Sequence, residues 1–506
     1  MKFKRIISTI ILVAISTTCI IGCNPKKETK QKNYDGRVFY EIFVRAFNDS
    51  DGDGIGDLKG VTEKLDYLED LGINGIWLMP INESSSYHGY DIDDYYAIEK
   101  DYGTMDDFKE LLKEAKKRDI KVIMDLVLNH TSINNKWFLS AKEGEDSEFR
   151  DYYVWTKDMS KKSSFSSMNT REWTQNGEKE ELYYSVFWSG MPDLNYDNPQ
   201  VVKEAKKIAK YYLDIGVDGF RLDAAKWISN DIDKNIEFWD DFNKYCKSIN
   251  KNTITVGEIW DSSYIISNYA SCLDSFFEFS IGNHIIDRVN GGAISDFPDD
   301  YNIINEIYMN ENKEFIMSPF LTNHDLPRVM SSLDNDFKMK VAALSYLTLP
   351  GTPFIYYGEE IGMKGSGADE NLREPFIWSD NDELNSKWRK STQDKSKVAV
   401  NVQKKDKDSL LNFYKDIIKT RNSYSVLRYG NVEKGVSESE STLVMKRTYN
   451  DECAYVIANN NNEKDKIKLE KGKYKVVYSN KGKKEDIKGN KSLELEGEEI
   501  LILIKK

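Results

Sequence analysis

Cysteine is scarce, with five among 506 residues, and no two stand in CxxC spacing. A zinc site built on thiolates is therefore not expected. Cys19 and Cys23 fall near the N-terminus, while Cys246, Cys272 and Cys453 are scattered. A Cys246–Cys272 bridge stays open, without geometric support, and a chain this long can build its core without disulfides. Basic residues are outnumbered, 71 Lys and Arg to 84 Asp and Glu, giving a formal net charge of −13. Binding a phosphate backbone needs a basic face, so the balance argues against nucleic acid as a partner. After the first 23 residues, no apolar run is long enough to span a bilayer. No glycine-rich phosphate turn follows the first strand either. The GxG element there, Gly52-Asp53-Gly54, is crowded by aspartates that would repel phosphate. Histidine is scarcest, at four.

The N-terminus carries an address. Lys2, Lys4 and Arg5 precede an uncharged, mostly apolar stretch from Ile6 to Ile21. The pattern reads as an export signal, and the stretch is short for a transmembrane span. Ile20-Ile21-Gly22-Cys23 then resembles a bacterial lipobox, with cleavage before Cys23 and lipid on its sulfur. Residues 1–22 are thus expected to be a lipoprotein signal peptide. Residues 23–36 form a polar, Lys-rich tether. The expected location is extracytoplasmic, at the cell surface, with the membrane as a partner through Cys23.

Length suggests roughly two to four domains. From Val38 onward, short β-rich runs alternate with amphipathic segments. The strands expected are 38–47, 75–80, 121–128, 219–222, 254–258, 276–281, 315–322 and 353–357. Helices are expected over 61–71, 105–118, 201–213, 236–248 and 338–347, each with apolar residues at helical spacing, such as Phe108, Leu111, Leu112 and Ala115. Eight strands alternating with helices match an α/β fold, a (β/α)8 TIM barrel. The barrel would occupy 37–130 and 196–430. The long connection 131–195 would be an inserted small domain B. Residues 431–506 change pattern, with strands over 442–448, 453–458, 474–478 and 500–504, and read as an all-β sandwich. A monomer is expected.

In such a barrel the site lies at the C-terminal ends of the strands. Those ends read Asp125-Leu-Val-Leu-Asn129-His130, Gly219-Phe-Arg221-Leu-Asp223-Ala-Ala-Lys226, Gly257-Glu258-Ile-Trp260 and Asn323-His324-Asp325, with His88-Gly89-Tyr90-Asp91 after the second strand. Three of the four histidines fall here. Converging carboxylates raise one another's pKa and are costly unless used. Glycosidic bond cleavage uses such a set: one carboxylic acid protonates the leaving oxygen and a second carboxylate meets the oxocarbenium-like centre. The rival use is a metal site. Arg221, two residues before Asp223, argues against a metal there and would keep that aspartate ionised, as a nucleophile requires. Tyr, Phe and Trp are plentiful, at 30, 22 and 10. Most belong to the core, though such rings also stack on the apolar faces of sugars.

These segments, in this order and spacing from about Arg37 to the C-terminus, resemble glycoside hydrolase family 13, the α-amylase family. The resemblance implies Asp223 as nucleophile, Glu258 as general acid/base and Asp325 as transition-state stabiliser. It implies Arg221 orienting Asp223, His130 and His324 bonding the sugar, Tyr90 stacking beneath it, and His88 and Asp91 helping to form the pocket. Asp125 reads as a structural partner, with Arg221 as a candidate. The stereochemical outcome implied is retention, with nucleophile and acid about 5 Å apart.

Asp49-Ser-Asp51-Gly-Asp53-Gly54-Ile55-Gly-Asp57 begins like an EF-hand calcium loop. Gly60 stands where that loop has its bidentate Glu. Family members with this DxDGxGD pattern bind calcium, which implies a structural Ca2+ held by Asp49, Asp51, Asp53, the Ile55 carbonyl and Asp57. Asn129 ligates calcium in some members. Met191-Pro-Asp-Leu-Asn195 resembles the motif of members between the oligo-1,6-glucosidase and neopullulanase groups. Ala224-Ala225-Lys226 resembles α-amylases, with Lys226 expected on the leaving-group side and Trp227 where amylases often carry His. An endo-acting α-amylase on α-glucan is the expected activity. An exo-acting α-glucosidase, an oligo-1,6-glucosidase and a cyclomaltodextrinase or neopullulanase-like enzyme stay open. A catalytically dead glucan-binding protein is the alternative of another class.

Overall fold

The computed structural model describes residues 36–163, 172–381, 385–489 and 492–506. The signal segment, Cys23 and tether residues 24–35 lie outside them. Eight short parallel strands make one sheet: β1 Phe39–Ile42, β2 Gly75–Leu78, β3 Lys121–Leu126, β4 Gly219–Leu222, β5 Ile254–Gly257, β6 Ser275–Glu278, β7 Ile316–Pro319 and β8 Phe354–Tyr356. Their order is β7-β6-β5-β4-β3-β2-β1-β8, so the first strand pairs with the second and the last. The seam between β7 and β8 is bridged where Thr352 N donates to Met317 O at 2.9 Å. The chain is therefore a TIM barrel.

Its interior is packed by Phe39, Trp77, Ile123, Val256, Phe277 and Phe354, among others. The rings of Phe39 and Phe354 stack with centroids 4.9 Å apart across the β1–β8 pair. Helices cover the outer faces, so the strands are buried on both sides. That is why they read as continuous apolar runs without alternation. The helices have local causes. In α1, Met105–Lys117, Thr104 and Asp107 form a capping box, acids lie in the first turn and lysines in the last. Asn198 caps α2, Pro199–Ile215, with Pro199 in the first turn and a left-handed Gly216 (φ 115°) closing it.

Several expected boundaries are corrected. The strand expected over 38–47 ends at Ile42, and Val44–Phe47 is a short helix. The strand expected over 276–281 ends at Glu278, where the helix Phe279–Gly291 begins. The helix expected over 61–71 is two, Leu58–Glu63 and Leu65–Leu71, broken at Lys64. Cys246, Cys272 and Cys453 are buried free thiols, so the Cys246–Cys272 bridge does not form.

Between 131 and 195 a small sheet pairs Trp155–Thr156 with Leu182–Ser185 and that strand with Glu172–Gln175. After α3, Leu410–Ser423, the chain turns all-β. The longer strands are β9 Thr442–Tyr449, β10 Glu452–Asn459, β11 Gly472–Ser479 and β12 Ile500–Lys505. They lie in one antiparallel sheet, and a second, three-stranded sheet accompanies it. Val444, Ile457, Ile467, Leu495 and Leu501 belong to one core cluster that joins residues of both sheets. Among the described residues no helix is long and apolar enough to cross a membrane.

Candidate active site

The strand register assembles the first cluster. Asp125 on β3 faces Arg221 on β4 in parallel pairing, which sets both side chains on the same face of neighbouring strands. Arg221 is fully buried, and its Nη1 donates to Asp125 Oδ1 at 2.8 Å and to Asp223 Oδ1 at 2.6 Å. Its Nη2 lies 2.8 Å from Glu258 Oε1. One guanidinium thus holds Asp223 and Glu258 beside each other. The two carboxylates are not held alike. Asp223 receives a well-aligned charge-assisted bond, whereas Nη2 makes no hydrogen bond of good geometry and Glu258 Oε2 takes the Ala224 amide at 3.2 Å. Burial pushes both carboxyls up, and Arg221 pulls both back. The direct bond favours ionised Asp223, and the looser pairing leaves Glu258 the easier one to protonate. Ala224 reaches Glu258 from a left-handed conformation (φ 48°), a strained backbone for a residue with a Cβ.

The second cluster surrounds Asp325. Its Oδ2 lies 3.1 Å from His324 Nε2, and its Oδ1 accepts from Arg373 Nη2 at 2.8 Å. Burial alone would raise the Asp325 carboxyl, but His324 and Arg373 together hold it well below the carboxylate range. His324 Nδ1 lies 2.6 Å from Glu41 Oε1 on β1. Burial pulls the imidazole down, yet Asp325 and Glu41 outweigh it and push His324 up to about 10, so it is a cation at neutral pH. Tyr90 joins the clusters. Its hydroxyl lies 2.7 Å from His324 Nε2 and donates to Asp125 Oδ2 at 3.1 Å, and its ring stacks on His324 at 5.4 Å. Burial pushes Asp125 up to about 7 against the pull of Arg221.

Other expected residues stand one step out. His130 Nε2 lies 3.1 Å from the Tyr90 carbonyl, and burial lowers its imidazole to about 4, leaving it neutral. His88 Nδ1 accepts the Tyr90 amide at 3.1 Å, across a turn through Gly89 (φ 81°). Asp91 is buried and accepts from the Ser84 and Ser86 hydroxyls, fixing that loop. Lys226 pairs with Asp261 at 2.6 Å, separate from the carboxylate clusters. The residues not anticipated are Glu41, Arg373 and Trp77, whose Nε1 donates to Asp125 Oδ2 at 3.2 Å.

In the aspartate loop, carboxylate oxygens of Asp49, Asp51 and Asp57 come within 4.8 Å of one another. The Asp53 carboxylate is not in that group and accepts the Ile55 amide at 2.7 Å. Asp57 also caps the following helix through Gly60 N at 2.7 Å. Three converging hard oxygen donors with excess negative charge suit Ca2+. The Asn129 side-chain amide faces His130 Nδ1 at 3.4 Å, and its backbone carbonyl accepts Leu194 N.

The pattern described as "Alpha amylase, catalytic domain" matches residues 41–430. The chain is 42% identical over 469 residues to a protein named alpha-amylase 3 from Dictyoglomus thermophilum, covering 91% of each. It is 30% identical to an oligo-1,6-glucosidase from Bacillus cereus, over 83% of this chain and 90% of that protein. A crystal structure of an alpha-amylase from H. orenii superposes with a TM-score of 0.85 at 40% identity, covering 94% of this chain and 100% of the other.

Proposed function

This chain belongs to the α-amylase family, and from that premise we propose an endo-acting α-amylase. It would cleave α-1,4-glucosidic bonds in starch, glycogen or maltooligosaccharides with retention. The observation that carries the reading is Arg221 holding Asp223 by a direct bond while leaving Glu258 easier to protonate. That division separates a nucleophile from an acid. Asp223 attacks the anomeric carbon as Glu258 gives its proton to the leaving glycosidic oxygen. Glu258, now a carboxylate, takes a proton from water as the water displaces Asp223. Asp325, charged and clamped between His324 and Arg373, stabilises the oxocarbenium-like centre. A shared guanidinium keeps the two reacting carboxylates close, which fits the ~5 Å of retaining enzymes better than the wider inverting separation.

Around that chemistry, His130, His324, Tyr90, His88 and Asp91 shape the sugar pocket, and Lys226 serves the leaving-group side. Asp49, Asp51 and Asp57, with the Ile55 carbonyl and Asp53 contributing, would hold a structural Ca2+. The ion would neutralise the loop and take no part in the chemistry. The basic N-terminus, apolar stretch and Gly22-Cys23 support export and lipid anchoring at Cys23, with the enzyme acting as a monomer at the cell surface.

The test follows iodine staining and reducing ends together on soluble starch, with isomaltose and maltotriose in parallel. Fast colour loss at few new reducing ends is expected. Slow colour loss with steady glucose release, or cleavage of isomaltose, would replace this reading with an exo-acting α-glucosidase.

A further inference from the structure

Arg328 stands three residues after Asp325 and is buried, at 2% exposure. Among the described residues its side chain bonds only backbone carbonyls. Nε donates to Leu372 O at 2.8 Å, Nη1 donates to Tyr357 O at 2.6 Å, and Nη2 has no hydrogen-bond partner. The rings of Tyr356 and Tyr357 flank the guanidinium, with centroids 4.3 Å and 4.7 Å from Cζ. Glu359 is near enough to feel the charge, but burial pushes that carboxyl up to about 8, so it is no counter-ion at neutral pH. A buried guanidinium without a counter-ion is costly, and a methionine would fill the space without that cost. The cation therefore calls for a reason outside packing.

That reason lies in what its bonds hold. Beyond β8 the segment 357–374 contains no strand and only the one-turn helix Asp369–Leu372. A helix end leaves its last carbonyls bare. Leu372 O is satisfied from elsewhere by two donors, Arg328 Nε and the Tyr356 hydroxyl at 3.0 Å. The Tyr357 hydroxyl donates to Glu374 O at 2.8 Å, so the carbonyls on both sides of Arg373 are tied down. The Arg328 amide adds a bond to Gly365 O at 2.9 Å. From this fixed backbone Arg373 turns inward: Nε donates to His324 O at 3.1 Å and Nη2 to Asp325 Oδ1 at 2.8 Å. The bonds close a ring. Asp325 leads along the chain to Arg328, Arg328 bonds Leu372, Leu372 leads to Arg373, and Arg373 returns to Asp325.

We propose that Arg328 is a positioning residue for the reaction: it fixes the peptide before Arg373, so that the Arg373 guanidinium meets Asp325 in one geometry. The inference rests on Asp325 as the stabilising carboxylate, as proposed above. The test is a double-mutant cycle in kcat on maltotriose, with the fold of each variant checked by circular dichroism. Arg328→Met removes the donors and keeps an unbranched side chain. It should lower kcat about tenfold and leave KM within about twofold, because a displaced stabiliser weakens the transition state and not the ground state. Arg328→Lys, with one donor group left, should recover part of that loss. In an Arg373→Gln background, itself about 10²-fold down, Arg328→Met should lower kcat by less than about twofold further, since no clamp remains to position. Losses that multiply to about 10³-fold would mean independent effects and overturn the proposal. An unchanged kcat in Arg328→Met would overturn it too. Should Arg328→Met not fold, Tyr356→Phe removes the other donor to Leu372 O, keeps the ring, and enters the same cycle with a single loss of about threefold. Turnover surviving in Asp325→Asn would bring down the active-site reading and this inference with it. Multiplied losses in a chain that Asp325→Asn inactivates would bring down this inference alone.

Discussion

Arg373 Nη2 donates to Asp325 Oδ1 at 2.8 Å, joining a loop beyond the last barrel strand to the carboxylate after the seventh. The bond does two things: it fixes the Asp325 carboxylate in one rotamer, and it helps hold its pKa well below the usual range against burial. Replacing Arg373 with Gln should lower kcat about 10²-fold, the scale of losing one preorganised charged contact. The acid limb of the kcat/KM profile should also move to higher pH as Asp325 becomes easier to protonate. A rate loss with an unmoved acid limb would leave Arg373 only a packing role.

The Glu41–His324 pair predicts an alkaline effect. His324 is raised to about 10 in the folded chain and titrates near 6.5 when unfolded. A raised base contributes stability that is complete below the unfolded value and lost as pH rises through the folded one. The variant Glu41→Gln should therefore melt below the parent most clearly at pH 6, with the gap closing toward about pH 10. Its alkaline activity limb should shift down. Parallel melting curves across that range would rule out a cationic His324.

Glu359 works in the opposite sense. Tyr346 and Tyr414 both donate to its Oε1 at 2.7 Å, and its Oε2 has no hydrogen-bond partner among the described residues. Burial pushes its carboxyl up to about 8. Unfolding releases that proton, so stability falls as pH rises from about 4.5 to about 8. Glu359→Gln keeps the acceptor and abolishes the titration. Its melting temperature should exceed the parent's at pH 8 and match it near pH 4.5, as calorimetry at both values would show.

Calcium removal gives the fourth expectation. A ligand at a hundred times its Kd stabilises the folded state by about 2.7 kcal/mol. Excess chelator should lower the melting temperature, and added Ca2+ should restore it. Asp51→Asn should weaken the restoration and leave the chelated protein's melting temperature unchanged, because Asp51 is exposed and caps no helix. A melting temperature indifferent to chelator, with no metal by elemental analysis, would remove the ion.

The barrel was legible because its strands are apolar runs buried on both faces, each followed by a helix with its own cap and apolar stripe. The groups the structure gathers around Arg221 could be read because polar residues at strand ends stand out against such runs. Glu41 was missed for the converse reason: a lone acid within the apolar strand Phe39–Ile42 looks like strand, and only the fold reveals that its partner lies 283 residues away at His324. Arg373 sits in a segment without periodicity, so no spacing pointed to it. Asp53 fits the calcium pattern by charge, and its carboxylate accepts Ile55 N within the turn, outside the group formed by Asp49, Asp51 and Asp57. The cysteine count said nothing about distance, and the thiols stay apart.

The stacked pair Phe39 and Phe354 also sets an order of events. β1 is complete almost at the start of the folded region, yet one of its two neighbours is β8. Closing so long a loop is entropically slow and leaves an open strand edge in the meantime. A chain emerging from its N-terminus therefore cannot seal the barrel until Tyr356 has appeared. Fragments ending before β8 should be sticky and unsealed. Under the export proposed above, this late closure would be a safeguard: β1 finds β2 early, but its other edge has no partner until nearly all the barrel has passed.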